Sequence, residues 1–251
     1  MKNFINNKKT YIVISSIVLM LILWEIISIR VGSKHIMPGP IESLKAAINL
    51  FSNNDFLITI GSTILRGIIG FLIAIIAGIT LGIIAGLNPS FETFMKPWIV
   101  LMRSVPIVSF ILLALIWFTS KSVPIFIGIL TMFPMIFTNI TEGMHNVDSR
   151  LIDMAKLYKV SRKRIVSQVY IPAIIPFVTS GISSAVGIGW RAIIVGEVLS
   201  LPEFGIGTSM HSAQSFLNVD ILIAWTFIAV MLSYLFETLI RFIEHKIIRW
   251  R

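Results

Sequence analysis

The sequence predicts an all-α integral membrane protein with six transmembrane helices. Of the 251 residues, 56% are hydrophobic and only 13% are charged, and the mean hydropathy is +0.90. A soluble domain would carry about 25% charged residues. The apolar residues form runs of about 20, the length a helix needs to cross a hydrocarbon core of about 30 Å. We therefore expect one transmembrane domain over residues 1–251.

Breaks rich in proline, glycine or charge separate the predicted spans. The spans cover residues 11–29, 63–87, 98–119, 123–140, 172–201 and 221–243. The first follows three lysines, as a signal peptide does. It is long, however, and no small-residue cleavage site follows, so we interpret it as a span.

Three shorter features lie on or between these spans. An apolar stripe along residues 41–51 predicts a helix in the outer membrane interface. Arg103 and Pro106 interrupt the third span. A glycine-rich outer loop containing Gly205 and Gly207 is predicted between the fifth and sixth spans.

Two spans carry small residues at intervals of four. These are Gly70, Ala74, Gly78, Gly82 and Gly86 in the second span, and Gly181, Ala185 and Gly189 in the fifth. In lipid, helices associate by close packing, and small residues let their backbones approach. Both helices are therefore predicted to pack closely against others. A sliding gate is a second interpretation of the longer stripe.

Charge predicts the orientation of the chain. Fourteen basic residues fall in the segments predicted to lie inside, against three outside (Lys34, Lys45 and Lys121). Cytoplasmic loops carry such an excess. Both termini and the loop after the fourth span are therefore predicted to be cytoplasmic. The basic net charge of +9 is explained in this way without any nucleic-acid partner.

The loop at 142–172 is predicted to be a basic helical hairpin. Its basic residues are Arg150, Lys156, Lys159, Arg162, Lys163 and Arg164. Leu151, Met154, Ala155 and Tyr158 recur at helical spacing and form one apolar face. Asp148 and Ser161 stand where helix N-caps are expected, and Pro172 is expected to end the hairpin. A polar hairpin with one apolar face, held between spans, is suited to docking onto a partner.

The same loop resembles a known cytoplasmic signature. Asp153-Met154-Ala155, then Lys159, then Val169-Tyr170-Ile171-Pro172 match the spacing of Glu-Ala-Ala, three residues, Gly, nine residues, Ile-x-Leu-Pro. That signature is typical of ABC importer permeases. Lys159 replaces its glycine, so the turn there lacks glycine's free access to positive φ.

Further matches resemble the nitrate/sulfonate/bicarbonate-type branch of these permeases and extend from about Pro38 to the C-terminus. They lie at Ser104-Val105-Pro106, Phe133-Pro134, Gly181, Trp190, Glu197 and Gly205-Ile206-Gly207. The resemblance implies a type I importer permease fold and a second permease subunit, most simply in a homodimer. It also implies cytoplasmic ATPase subunits bound to the hairpins and an extracytoplasmic solute-binding protein. The implied solute is a small anion of the nitrate, sulfonate or taurine class. By this resemblance, the ATPase-coupling residues are Leu151, Asp153, Met154, Ala155, Tyr158, Lys159, Ile171 and Pro172.

Catalysis by this chain is not expected. The sequence contains no cysteine, no phosphate-binding Gly-x-x-x-x-Gly-Lys motif and no zinc-binding His-Glu-x-x-His helix. No catalytic residue, cofactor or metal is therefore predicted. The alternative function is a self-contained secondary transporter or channel, although the duplicated halves typical of many secondary transporters are not evident.

Ionisable residues within the spans are expected to face a cavity, a path or a partner charge, because they are costly in lipid. Arg103, Arg191 and Glu197 are the candidates for lining the path. Arg191 and Glu197 are six residues apart, so they cannot pair along one helix face. Arg66, near a span end, is expected to extend its charge towards the interface.

Overall fold

The computed structural model describes residues 2–33 and 35–247, and the described chain is helical. Its helices are α1 (Lys2–Val31), α2 (Pro40–Leu50), α3 (Phe56–Leu87), α4 (Pro89–Ser104), α5 (Ile107–Trp117), α6 (Val123–His145), α7 (Ser149–Leu157), α8 (Arg162–Ile165), α9 (Ile171–Ser200), α10 (Ile206–Ser215) and α11 (Val219–Ile247). A π-helical turn at Val166–Tyr170 joins α8 to α9. Lys34, Arg249 and Arg251, three of the residues used to predict orientation, lie outside the described residues.

By its internal contacts the chain divides into two compact units. One comprises Met1–Leu57 and Ser209–Val230, and the other comprises Ile58–Thr208 and Met231–Arg251. The prediction of a single transmembrane domain therefore stays a prediction.

In the first unit, α1 and α2 are held together through the turn that joins them. The Trp24 indole N–H donates a hydrogen bond to the Pro38 carbonyl at 3.0 Å, and the Ser28 hydroxyl donates to the Met37 carbonyl at 2.8 Å. The apolar stripe along α2 is exposed, including Leu44 at 58%, whereas Leu50 at the end of the helix is buried. An exposed apolar stripe on a short helix is what the predicted interfacial position requires.

In the second unit, α6 packs against both α3 and α9, and α3 also contacts α9 directly near Gly67. A Cβ built on Gly78 would stand 2.7 Å from Ile136 Cγ2, and one on Gly82 would stand 2.8 Å from Ile140 Cβ. Gly86 lies against Met144 in the same way. The residue numbers rise together on both helices, so α3 and α6 run in the same direction.

The fifth-span stripe lies against a neighbouring face of α6, and Met132 contacts glycines of both stripes. Cβ atoms built on Gly181 and Gly196 would stand 2.9 Å from Asn139 Cβ and Pro124 Cα, respectively. Ala185, between these glycines, is fully buried. Here one number rises as the other falls, so α9 runs antiparallel to α6.

These directions favour counting α4 with α5 as a sixth candidate span. Among the described residues, five helices or helix runs are long and apolar enough to span a membrane, and α4 with α5 passes the same test as a bent pair. Because α3 and α6 point the same way, the chain between them must return across the bilayer. A re-entrant α4–α5 loop would have left α3 and α6 antiparallel.

The third span is interrupted as predicted, but its bounds differ from 98–119. The helix begins earlier, at Pro89, where the Asn88 side chain accepts hydrogen bonds from the Ser90 and Phe91 backbone N–H groups. It breaks after Ser104, and the two pieces meet at 101°. Pro106 explains the break, since a proline disfavours helical geometry in the residue before it. Val105 is accordingly extended, with φ −74° and ψ 133°.

Two other boundaries differ from the predictions. The second span begins seven residues earlier, because α3 starts at Phe56. The predicted outer loop is largely a helix, since α10 begins at Ile206 and includes Gly207. Glycine disfavours a helix interior by only about 1 kcal/mol relative to alanine, so packing can override it.

Candidate functional site

The hairpin helix α7 presents an apolar surface away from the rest of the chain. Asp148 caps it, accepting a hydrogen bond from the Arg150 backbone N–H at 2.9 Å. Three members of the predicted apolar face project outward, with Leu151 47%, Met154 54% and Tyr158 75% exposed.

The fourth member of that face, Ala155, has a different position. It is partly buried, as is Ile152, which packs against the buried core around α6. Ala155 therefore lies at the edge between the inner side of α7 and its outward face. We define the docking face of α7 as Leu151, Met154 and Tyr158.

Lys159 makes the turn that ends α7. Its φ of 53° is left-handed. Its backbone N–H donates to the Lys156 carbonyl at 2.9 Å, and the next N–H, of Val160, donates to the Ala155 carbonyl at 3.0 Å. This is the Schellman arrangement, in which the left-handed position is usually glycine. The lysine adopts the glycine conformation at a cost of about 1–2 kcal/mol, so the replacement leaves the direction of the turn unchanged.

The second arm of the hairpin continues directly into the membrane. Ser161 precedes α8 but makes no side-chain capping hydrogen bond. Pro172, predicted to end the hairpin, lies in the first turn of α9. The π turn accommodates this proline, whose ring would clash with the carbonyl four residues back in a regular helix. Accordingly, the Ile171 N–H donates to Val166, five residues back.

Basic residues border a cleft between the two arms. The cleft has a volume of about 720 Å³, and its lining includes Lys156, Arg162 and Lys163. Lys156 also makes an exposed pair with Asp153 at 3.4 Å. This pair neutralises only one of the six basic side chains, so the hairpin stays positively charged.

The structure separates the three candidate path residues. Arg103, at the end of α4, and Arg191, within α9, are both exposed. Glu197 is fully buried. Its oxygens are occupied within the chain, so its surroundings support a structural role. The path assignments of Arg103 and Arg191 stay predictions.

Glu197 belongs to a buried network with α3. Its Oε1 atom accepts a hydrogen bond from Arg66 Nη1 at 2.5 Å. Its Oε2 atom accepts from Thr63 Oγ1 at 2.9 Å and from the Gly207 N–H at 3.0 Å. Arg66 is only 7% exposed, so the prediction that it extends towards the interface is wrong.

The network also fixes the segment between α9 and α10. Arg66 Nη2 donates to the Phe204 carbonyl at 2.7 Å, and the Ile206 N–H donates to Thr63 Oγ1 at 2.9 Å. A Cβ on Gly205 would stand 2.8 Å from the Glu197 carboxylate. Glycine is therefore required there for close approach to the carboxylate.

The sequence held a signal for this pairing. Arg66 lies four residues before Gly70, on the stripe that packs inward, and Glu197 lies eight residues after Gly189 on the other stripe. Residues at these separations share a helix face. Both charges therefore belong to inward faces and could have been predicted to be buried, but the stripes do not specify that the two charges meet.

Comparisons with known proteins agree with this arrangement. The family model described as binding-protein-dependent transport system inner membrane component matches residues 78–249, more than half of the chain. The chain belongs to this family. Its fold is accordingly that of a type I ABC permease, and the hairpin with α7 and Lys159 lies within the matched range.

Similar permeases match nearly the whole chain. The taurine transport system permease protein TauC of Escherichia coli (strain K12) is 24% identical, over 93% of this chain and 86% of its own. The bicarbonate transport system permease protein CmpB of Synechococcus elongatus is 27% identical, over 91% of this chain and 86% of its own.

Proposed function

We propose that this permease forms the translocation path of an ATP-driven importer and that the docking face of α7 binds a cytoplasmic ATPase subunit. The observation that carries this proposal is the outward exposure of Leu151, Met154 and Tyr158 on a basic hairpin between two spans. Burying a leucine or methionine side chain contributes about 1.5–3 kcal/mol. Leu151 and Met154, together with the ring of Tyr158, supply a specific anchor for a partner.

The geometry also supplies a route for motion. Helix α8, the π turn and α9 form one continuous helical run from Arg162 to Ser200. At 1.5 Å per residue this run is about 58 Å long. Movement of the hairpin by the ATPase is therefore transmitted directly along α9, which carries Arg191. Rigid elements of this kind convert a local displacement into a change of access.

The family and the exposed position of Arg191 support the remaining subunits of the importer. An exposed arginine within a span must face a path or a partner, because lipid would not solvate it. We infer a second permease subunit, most simply a copy of this chain, on that side of α9. An extracytoplasmic binding protein delivers the solute. The solute is a small anion, as the names of the taurine and bicarbonate relatives suggest.

We expect the hairpin and both termini to be cytoplasmic, because of the basic asymmetry. The chain has no cysteine, so single cysteines at Ser161 and Ser212 can be compared directly. In intact cells, an impermeant thiol reagent should label Ser212→Cys, on the outer helix α10, and should label Ser161→Cys only after permeabilisation. Labelling with the opposite pattern would invert the proposed topology.

Changing Leu151 to glutamate tests the docking face. The substitution places a charge in the proposed contact, so ATPase co-purification should fall at least tenfold, corresponding to about 1.4 kcal/mol or more. The control is Ser149→Glu, since Ser149 is exposed and lies about 160° from Leu151 around the helix. It should retain the ATPase.

Equal ATPase retention by both variants would contradict the docking assignment. Solute transport by the permease alone, without any ATPase, would instead favour a self-contained secondary transporter or channel.

A further inference from the structure

A second cleft opens at the break between α4 and α5. It has a volume of about 400 Å³ and lies against α6 and α9. Its lining includes Arg103 and Phe110 from the bent pair, Thr131 and Met135 from α6, and Ile188 from α9. The cleft therefore combines one guanidinium and one hydroxyl with apolar walls. That composition and size are typical of small-molecule sites.

Arg103 has no partner within the part of the chain that the structure describes. Its guanidinium makes no hydrogen bond or ion pair there, and the residue is exposed. A lone charge in a membrane-spanning segment is costly unless water or a counter-charge reaches it. The extended backbone at Val105 adds to this requirement, since irregular backbone at membrane depth is tolerated only inside protein or beside a water-filled cavity. Both features indicate that the cleft is aqueous.

On the α9 wall of the cleft, polar residues flank Ile188. Ile188 belongs to an exposed stripe with Ser184 and Arg191, four residues before it and three residues after it. Residues at these separations lie on one side of a helix. Arg191 also makes no hydrogen bond or ion pair with the other described residues. Two unpaired guanidinium groups therefore border one exposed surface, and no carboxylate lines the cleft.

We propose that this cleft binds the head group of a small organic oxyanion, a sulfonate or carboxylate, during its passage through the permease. Arg103 supplies the two parallel N–H donors that match an oxyanion, and Phe110, Met135 and Ile188 contact the short organic portion. Arg191 extends the positive surface along α9. This assignment rests on the proposed importer function, and it names the part of the chain that selects charge.

The absence of cysteine allows a direct test of charge selectivity. Ile188→Cys places a single thiol on the cleft wall. In the permease purified under conditions that retain bound partner subunits, the thiol is treated with 2-sulfonatoethyl methanethiosulfonate or with its 2-(trimethylammonio)ethyl counterpart. These probes differ mainly in the sign of their charge, and the first is itself a small sulfonate. The ratio of their reaction rates, each normalised to the rate with a free thiol, reports the local potential.

We expect the sulfonate probe to react faster with Ile188→Cys. Adding Arg103→Met should lower the rate ratio about tenfold, because removing one nearby unit charge slows one probe and speeds the other. Arg103→Lys should keep most of the bias. Lys121→Met, which makes the same change in net charge outside the cleft, should leave the ratio unchanged.

The assignment is overturned if Ile188→Cys, with Arg103 unchanged, reacts equally fast with both probes. It is also overturned if Lys121→Met lowers the rate ratio as much as Arg103→Met does. Whether the same preparation retains the ATPase tests the importer proposal independently of the cleft. An anion bias without ATPase association supports the cleft and overturns the importer proposal instead.

Discussion

Replacing Glu197 with glutamine is expected to destabilise the folded permease by about 3–5 kcal/mol. The substitution removes the charge that neutralises buried Arg66, and breaking one side of a buried ion pair typically costs this much. Glutamine also replaces one carboxylate oxygen with an NH₂ group. That group cannot accept the hydrogen bond that Arg66 or the Gly207 N–H now donates to Glu197. Thermal unfolding of the purified permease in detergent, followed by size-exclusion chromatography, measures the loss.

An ion pair on the protein surface provides the control for the buried pair of Glu197. Lys121 and Glu203 stand 3.3 Å apart, with side chains 69% and 65% exposed. Exposed pairs contribute about 0–1 kcal/mol, so Glu203→Gln should unfold almost as the unchanged protein does. In the double variant Arg66→Met with Glu197→Met, no charge is left unpaired, so we expect it to be more stable than either single variant. A Glu197→Gln permease with unchanged stability would show that Arg66 is neutralised elsewhere.

Replacing Gly78 with leucine is expected to prevent normal packing of α3 against α6. Even a Cβ at this position would stand 2.7 Å from Ile136 Cγ2 and 2.8 Å from Ile136 Cβ. Because Ile136 is fully buried, it cannot move aside into solvent. Overpacking typically costs about 1–3 kcal/mol, and occasionally more. We expect a lower yield of monodisperse protein and loss of solute transport.

Gly61 offers a control on the same helix. A Cβ there would meet no heavy atom within 4 Å, so Gly61→Leu should purify with near-normal yield. If Gly78→Leu purified and transported as well as Gly61→Leu, the contact between the α3 stripe and α6 would not be required for folding.

The helix break and the α10 helix show where sequence reasoning fell short. Pro106 and Arg103 mark an interruption in the sequence, but a local pattern does not specify the angle between two helical pieces. That angle depends on what each piece packs against. Similarly, Gly205 and Gly207 indicate a loop by propensity, whereas contact with Glu197 explains both glycines in the structure. Tertiary contacts overrode local preference here.

Lys159 illustrates a different limit. Its replacement of glycine predicts difficulty with positive φ, yet the residue adopts φ 53°. The spacing of the hairpin was a better guide than the residue type at this position. The hydrogen bonds of the Schellman turn and the packing of Ile152 together offset the conformational cost of the lysine.

The sequence alone determined the membrane class, the approximate positions of most spans and the existence of a basic hairpin with an apolar face. These properties follow from apolar run length and helical periodicity, which are local. The tertiary structure decided which stripes meet, and so paired Arg66 with Glu197 and left Arg103 and Arg191 exposed. A helix pattern specifies which residues share a face but not what that face contacts. The partner of each charge was therefore decided only when α3, α6 and α9 packed together.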